Sequence, residues 1–190
     1  MFSKEQNKKL CERYPFLLPR NVFSDKLEKD YDYSYIKGIG EIPEGWNKLF
    51  LQCCEDIRKP LIEANYLDKF RISTVKEKYN TLRIYHFGAT EEVQNILMMY
   101  EYVSEFVCTV CGRPATKETN GWIYSYCDEC FEKQDSRDFI KKEFTPIFTI
   151  TKYSMGKEEE LQFDCSDIWK RLYSTDLLQI NYFQKTFKNS

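Results

Sequence analysis

Two cysteine pairs carry the clearest chemistry in this sequence. Cys108-Thr-Val-Cys111 and Cys127-Asp-Glu-Cys130 are CxxC steps separated by fifteen residues. Each step is short enough to fold as one turn, and the gap is long enough for a hairpin that returns the second turn to the first. Four thiolates gathered in this way form a soft, tetrahedral shell that suits Zn²⁺, with iron in the same shell as the competitor. The shell is closed and leaves no position for water, so the expected zinc is structural: it holds the fold and hydrolyses nothing.

The remaining candidates are weaker. The other four of the eight cysteines, Cys11, Cys53, Cys54 and Cys165, read as small buried hydrophobes. His86 is the single histidine, so no mechanism that needs two imidazoles is available. It is followed by Phe87-Gly88, which lacks the glutamate of a zinc deaminase. There is no Walker loop, and Gly38-Ile39-Gly40 alone is too short a signal for nucleotide phosphates. The chain is therefore expected not to be an enzyme, with chemistry at His86 as the alternative. Lys76, Lys78, Arg83 and His86 are most simply a solvated hairpin face, with an anion-contacting patch as the functional alternative. Tyr31, Tyr33 and Tyr35 read first as a cover for the core, with an aromatic wall formed together with Trp46 for a base or a peptide as the functional alternative.

These residues need elements to position them. An amphipathic helix is expected over residues 1–14, ending before Pro15. A second runs over 46–64, with Trp46, Leu49, Phe50, Cys53, Ile57, Leu61 and Ala64 as its buried stripe and a kink or early end at Pro60. Runs at 70–76 and 82–87 read as a β-hairpin. Thr90 caps a third helix whose apolar positions Val93, Ile96, Leu97, Tyr100 and Val103 lead to Cys108. Asn120-Gly121 signals a hairpin inside the cysteine module, and Cys130 to Ile140 reads as helix. That is a treble-clef-like module, with a zinc ribbon as the alternative. Strands at 146–153 and 160–165 and a helix capped by Ser166 follow.

The expected fold is α+β: helices packed on a β-hairpin, an inserted treble-clef or zinc-ribbon-like module, and a C-terminal β-hairpin plus helix. The expected division is residues 1–107, 108–142 and 143–190.

In 190 residues there are 28 basic and 30 acidic groups, a net charge of −2, with no segment of basic excess. Duplex nucleic acid is disfavoured as a partner, because binding it requires many neutralised phosphates. The rival reading puts nucleic acid on the module's helix through Lys133, Arg137, Lys141 and Lys142. No apolar run is long enough to cross a bilayer, and the first residues lack the apolar stretch of a secretory signal. A cytoplasmic protein without a membrane partner is expected, and self-association is left open.

Several strings resemble an uncharacterised family of small CxxC…CxxC zinc-module proteins from gut Gram-positive bacteria and their phages. They are Leu10-Cys-Glu-Arg-Tyr-Pro-Phe-Leu-Leu-Pro-Arg-Asn21, Asp30-Tyr-Asp-Tyr-Ser-Tyr35, Val75-Lys-Glu-Lys-Tyr79 with Leu82-Arg83, and the paired CxxC. The likeness spans about residues 8–135. It departs at Asn80-Thr81, where relatives often carry Gly-Gly, so a different hairpin turn is expected here. The resemblance brings no activity with it. It implies a phage- or prophage-encoded accessory or counter-defence role in a bacterial host cytoplasm. The expected work is binding: sequestering a small nucleotide-like signal or holding a host protein.

Overall fold

A computed structural model describes residues 2–21, 23–134, 138–154 and 157–174. Among these, five helices alternate with small antiparallel sheets. Helix α1 (Lys4–Arg13) opens with a capping box: Gln6 N–H donates to Ser3 Oγ, and Ser3 N–H donates to Gln6 Oε1. A 3₁₀ turn at Pro15–Leu17 then drives Phe16 and Leu17 fully into the core.

Helix α2 (Asn47–Glu63) buries Leu49, Phe50, Cys53, Ile57 and Leu61 along one stripe, while Ala64 lies exposed beyond its end. Pro60 does not end this helix. It sits in the last turn, where its missing N–H costs one bond and its carbonyl still accepts the Ala64 N–H at 2.9 Å.

Strands β1 (Arg71–Lys78) and β2 (Thr81–Phe87) form the expected hairpin, in the register Lys78↔Thr81, Lys76↔Arg83 and Ile72↔His86. Its turn is Tyr79-Asn80, with φ of 53° and 60°, the pair of left-handed residues that a two-residue turn with matching twist requires. Thr81, a poor left-handed residue, is thus spared that conformation and begins β2. Helix α3 (Glu91–Ser104) packs on α2 and β2 with Thr90 as its N-cap.

Beyond α3 lie β3 (Lys117–Thr119), β4 (Ser125–Tyr126), α4 (Asp128–Phe131) and β5 (Phe139–Lys141), with sheet order β4-β3-β5. The helix expected from Cys130 to Ile140 is absent. It stops after four residues at Phe131, and residues 139–141 return as a strand against β3. Aromatic packing explains the change: Phe139 meets Phe131 edge-on at 5.1 Å, and Lys117 lies 4.8 and 5.0 Å from those two rings. The second cysteine pair therefore sits on the single helical turn of α4 and not at the head of a long helix. The helix face proposed for nucleic acid does not form. Lys142 is tied to Glu118 and to the Glu105 carbonyl, and Arg137 lies outside the described residues.

Strands β6 (Ile147–Ser154) and β7 (Lys157–Asp164) pair antiparallel, and the expected turn at Met155-Gly156 lies outside the described residues. Helix α5 (Ser166–Tyr173) follows. Ser166 is not its cap: Cys165 holds that place, and the Asp164 carboxylate accepts the Ser166 N–H at 2.8 Å. Ile168 and Leu172 of α5 join the core of α1, α2 and α3. Arg171 forks onto Asp56 at 2.6 and 2.8 Å, and the Tyr100 hydroxyl donates to the same carboxylate at 2.6 Å. Residues 175–190 lie outside the described part.

Candidate metal centre and adjoining cleft

The first cysteine turn is shaped by its backbone. The Cys108 N–H donates to the Arg113 carbonyl at 2.8 Å, and the Gly112 N–H donates to the Cys108 carbonyl at 2.9 Å. Gly112 takes φ of +74°, which turns the chain back toward the sulfurs. The segment entering α2 presses against this turn. A Cβ on Gly45 would stand 2.1 Å from the Cys108 carbonyl oxygen, so only glycine fits. The Gly45 N–H donates to the Thr109 carbonyl at 3.0 Å, and Trp46 Nε1 donates to the Val107 carbonyl at 3.1 Å. Cys127 stands at the N-cap of α4 and Cys130 lies within that single turn.

The four sulfurs of Cys108, Cys111, Cys127 and Cys130 lie within 4.8 Å of one another. Cys111 and Cys127 Sγ are 3.6 Å apart, far beyond a disulfide bond. Thiolates bound at about 2.3 Å around a tetrahedral zinc stand about 3.8 Å apart, so the spacing fits such an ion. Cys108, Cys127 and Cys130 are buried and Cys111 is exposed. Burial raises the Cys111 thiol, but Arg113 Nε at 3.3 Å, the Arg113 N–H and the neighbouring thiols outweigh it and bring the group to about 6. Burial and its sulfur neighbours push Cys130 up to about 12, and burial also raises Cys127. Four thiols at one point cannot all ionise unaided, and a bound cation would remove that conflict. The set can hold a metal ion, zinc among them.

The other four thiols are buried, and burial lifts Cys11 to about 11, Cys165 to about 12, and Cys53 and Cys54 well above the ordinary range.

The eight ligand-binding candidates do not converge on one place. Trp46 is fully buried and bonded to the Val107 carbonyl, so it is a strut and cannot serve as a stacking wall. Tyr31, Tyr33 and Tyr35 gather on themselves, with ring centroids 4.9 and 5.6 Å apart and the Tyr31 hydroxyl bonded to the Tyr35 carbonyl. Lys76, Lys78 and Arg83 share one face of the hairpin by register, whereas His86 falls on the other. His86 is half-buried beside Phe70, with Nδ1 unpartnered, and among the described residues no hydrogen bond links it to a cysteine. Arg83 is paired with Glu101, while Lys76 and Lys78 form no ion pair among the described residues.

A site missed in the sequence lies where the hairpin turn meets the cysteine module. Glu77, Lys78 and Tyr79 on one side and Gly121, Trp122 and Ile123 on the other line a cleft of about 370 Å³. Tyr79 is 73% and Trp122 77% exposed. Asn80 beneath them is buried, and its amide bonds both the N–H and the hydroxyl of Ser125. Both aromatics sit at turns, beside residues of positive φ, and an aromatic in a turn is a sequence signal that could have found the site.

Compared with protein-family models, curated proteins and solved structures, the chain finds no match in any of the three. Among the described residues no helix is long and apolar enough to cross a membrane.

Proposed function

We propose that this is a non-enzymatic binding protein whose four cysteines hold a structural Zn²⁺ and whose grip is the Tyr79/Trp122 cleft. The observation that carries the reading is Tyr79 itself. A tyrosine at φ of 53° costs on the order of 1–3 kcal/mol, and such strain persists where surrounding structure enforces it, often at functional positions. Here the enforcing contact is the Asn80–Ser125 lock, and its result is to hold an aromatic face out into solvent beside a second one.

The ligand this arrangement suits is a planar, anionic one, such as a small nucleotide. Its base would stack on tyrosine or indole, and its phosphate would meet Lys78, with Lys76 one step along the same face. Sequestration of a nucleotide signal in a bacterial host cytoplasm accords with the phage-borne resemblance. A host-protein partner is the second reading, favoured by exposed Trp and Tyr, the residue types that anchor protein interfaces.

Titration with cyclic and ADP-ribose-derived nucleotides, followed by tryptophan fluorescence and thermal shift, tests the first reading. Quenching that disappears in Trp122→Ala is expected. No response to any nucleotide, with stoichiometric capture of one host protein that Trp122→Ala abolishes, transfers the cleft to the second reading.

A further inference from the structure

We infer that Cys111 is an oxidative modification site, the point at which a peroxide enters the metal centre and from which Cys127 completes a disulfide. The inference rests on the four-cysteine metal reading and is independent of which ligand the cleft takes.

Access selects Cys111. It is the one exposed residue of the four cysteines, carried on a turn beside Val110, which is also exposed. Arg113 Nε stands 3.3 Å from Cys111 Sγ, and its guanidinium is held in place by a fork onto Glu129. Geometry selects the second cysteine: Cys127 Sγ stands 3.6 Å away, close enough to resolve an oxidised neighbour after a small shift. A solvent-open cysteine beside a guanidinium, with a second sulfur in reach, is the environment in which peroxide oxidation is favoured.

The step balances as follows. The Cys111 thiolate attacks one peroxide oxygen, the O–O bond breaks, and hydroxide leaves, giving a sulfenic acid. The Cys127 thiolate then attacks that sulfur, the S–O bond breaks, and a second hydroxide leaves. Two thiolates have given two electrons to the peroxide, and solvent protons convert the hydroxides to water. The metal loses two of its four ligands and leaves. Cys127 directly follows β4, whose Ser125 holds Asn80, so the loss reaches the hairpin turn and the cleft. Oxidation thereby opens the grip.

Zinc-loaded full-length protein is treated with excess hydrogen peroxide in the presence of a chromogenic zinc chelator. Samples are alkylated at half-release for disulfide mapping. The expected first disulfide is Cys111–Cys127, appearing with the released zinc. Arg113→Ala, checked to bind zinc stoichiometrically, is expected to slow release about threefold or more. A first disulfide of any other pairing, zinc release with all four thiols intact, retention of zinc under peroxide, or an Arg113→Ala rate equal to wild type overturns the inference. These readouts are metal and sulfur, so failure of nucleotide binding leaves them legible.

Discussion

Asn80 and Ser125, 45 residues apart, are joined by two buried hydrogen bonds: Asn80 Nδ2 donates to Ser125 Oγ at 2.7 Å, and Ser125 N–H donates to Asn80 Oδ1 at 3.0 Å. The Ser125 hydroxyl in turn donates to the Glu105 carbonyl at 2.6 Å. Asn80 thus does two jobs. It accepts the left-handed backbone that the two-residue turn needs, and its amide fastens that turn to the strand entering the second cysteine pair. Glycine could do the first job only.

Separating the two jobs gives a stability prediction. Asn80→Ala loses both bonds, strands the buried Ser125 N–H and puts at φ of 60° a residue that tolerates it less well than asparagine, for a cost of about 2–4 kcal/mol. Asn80→Gly keeps the backbone relaxed and should cost about 1 kcal/mol less than alanine. Urea midpoints of the two variants check this, and equal midpoints would remove the backbone role.

Removing the metal tests the cysteine module as architecture. Purified protein should carry one zinc per chain, and Cys130→Ser should lower that content sharply. Chelation should lower the melting temperature and expose the amides of residues 108–131 to hydrogen exchange before those of α2 and α3. The reason is spatial: the sulfur cluster has its own small core of Tyr126 and Phe131, apart from the main one. Unchanged exchange after zinc loss would show that packing alone holds the module.

Gly45 offers a sharper probe of the same joint. Its position admits no Cβ, because the Cys108 carbonyl and the Gly112 N–H would lie 2.1 and 2.6 Å away, and both are backbone atoms of the first cysteine turn. Gly45→Ala should therefore cost about 3 kcal/mol or more and weaken zinc affinity together with stability. A competition titration against a zinc chelator reads the affinity. Lost stability with unaltered affinity would place the strain elsewhere than at the cysteine turn.

His86 sets a pH dependence whose sign can be worked out. Burial lowers its pKa below the ordinary 6.5, so between the two values the unfolded chain holds the proton and the folded one does not. Stability from this group is complete above pH 6.5 and is lost as pH falls toward the folded value. His86→Gln should flatten that slope in urea denaturation of the zinc-loaded protein. An identical slope in the variant assigns the pH dependence to other groups.

Much of the frame is legible in the sequence because local rules decide it. The spacing of the two cysteine pairs implies their convergence, and the Leu49–Leu61 stripe, the Thr90 cap and the β1–β2 hairpin all follow from periodicity and capping. The departures arise where tertiary contacts override those rules. Residues 130–140 carry a helical pattern, yet Phe139 gains more from Phe131 and Lys117 as a strand. Trp46 reads both as part of the buried stripe and as an alternative stacking wall, and its burial with the indole bonded to the Val107 carbonyl decides for the stripe. Each aromatic is visible locally as a turn residue, but the cleft they share is not, because Tyr79 and Trp122 are 43 residues apart and their turns are joined through the Asn80–Ser125 lock.

That lock leads to the most discriminating variant, Tyr79→Gly. Tyr79 pays a conformational penalty at φ of 53° and buries little apolar surface in return, being 73% exposed. Glycine removes the penalty, so the variant should be more stable than wild type by up to about 1 kcal/mol after allowance for the entropy of the unfolded chain. The same change removes one of the two aromatic faces, so ligand quenching of Trp122 should weaken about tenfold or more. Gain of stability with loss of binding is the signature of strain kept for function. Chemical denaturation and fluorescence titration of one preparation read both quantities. A Tyr79→Gly protein that is less stable, or that binds as wild type does, would show that the tyrosine serves the turn and not the cleft.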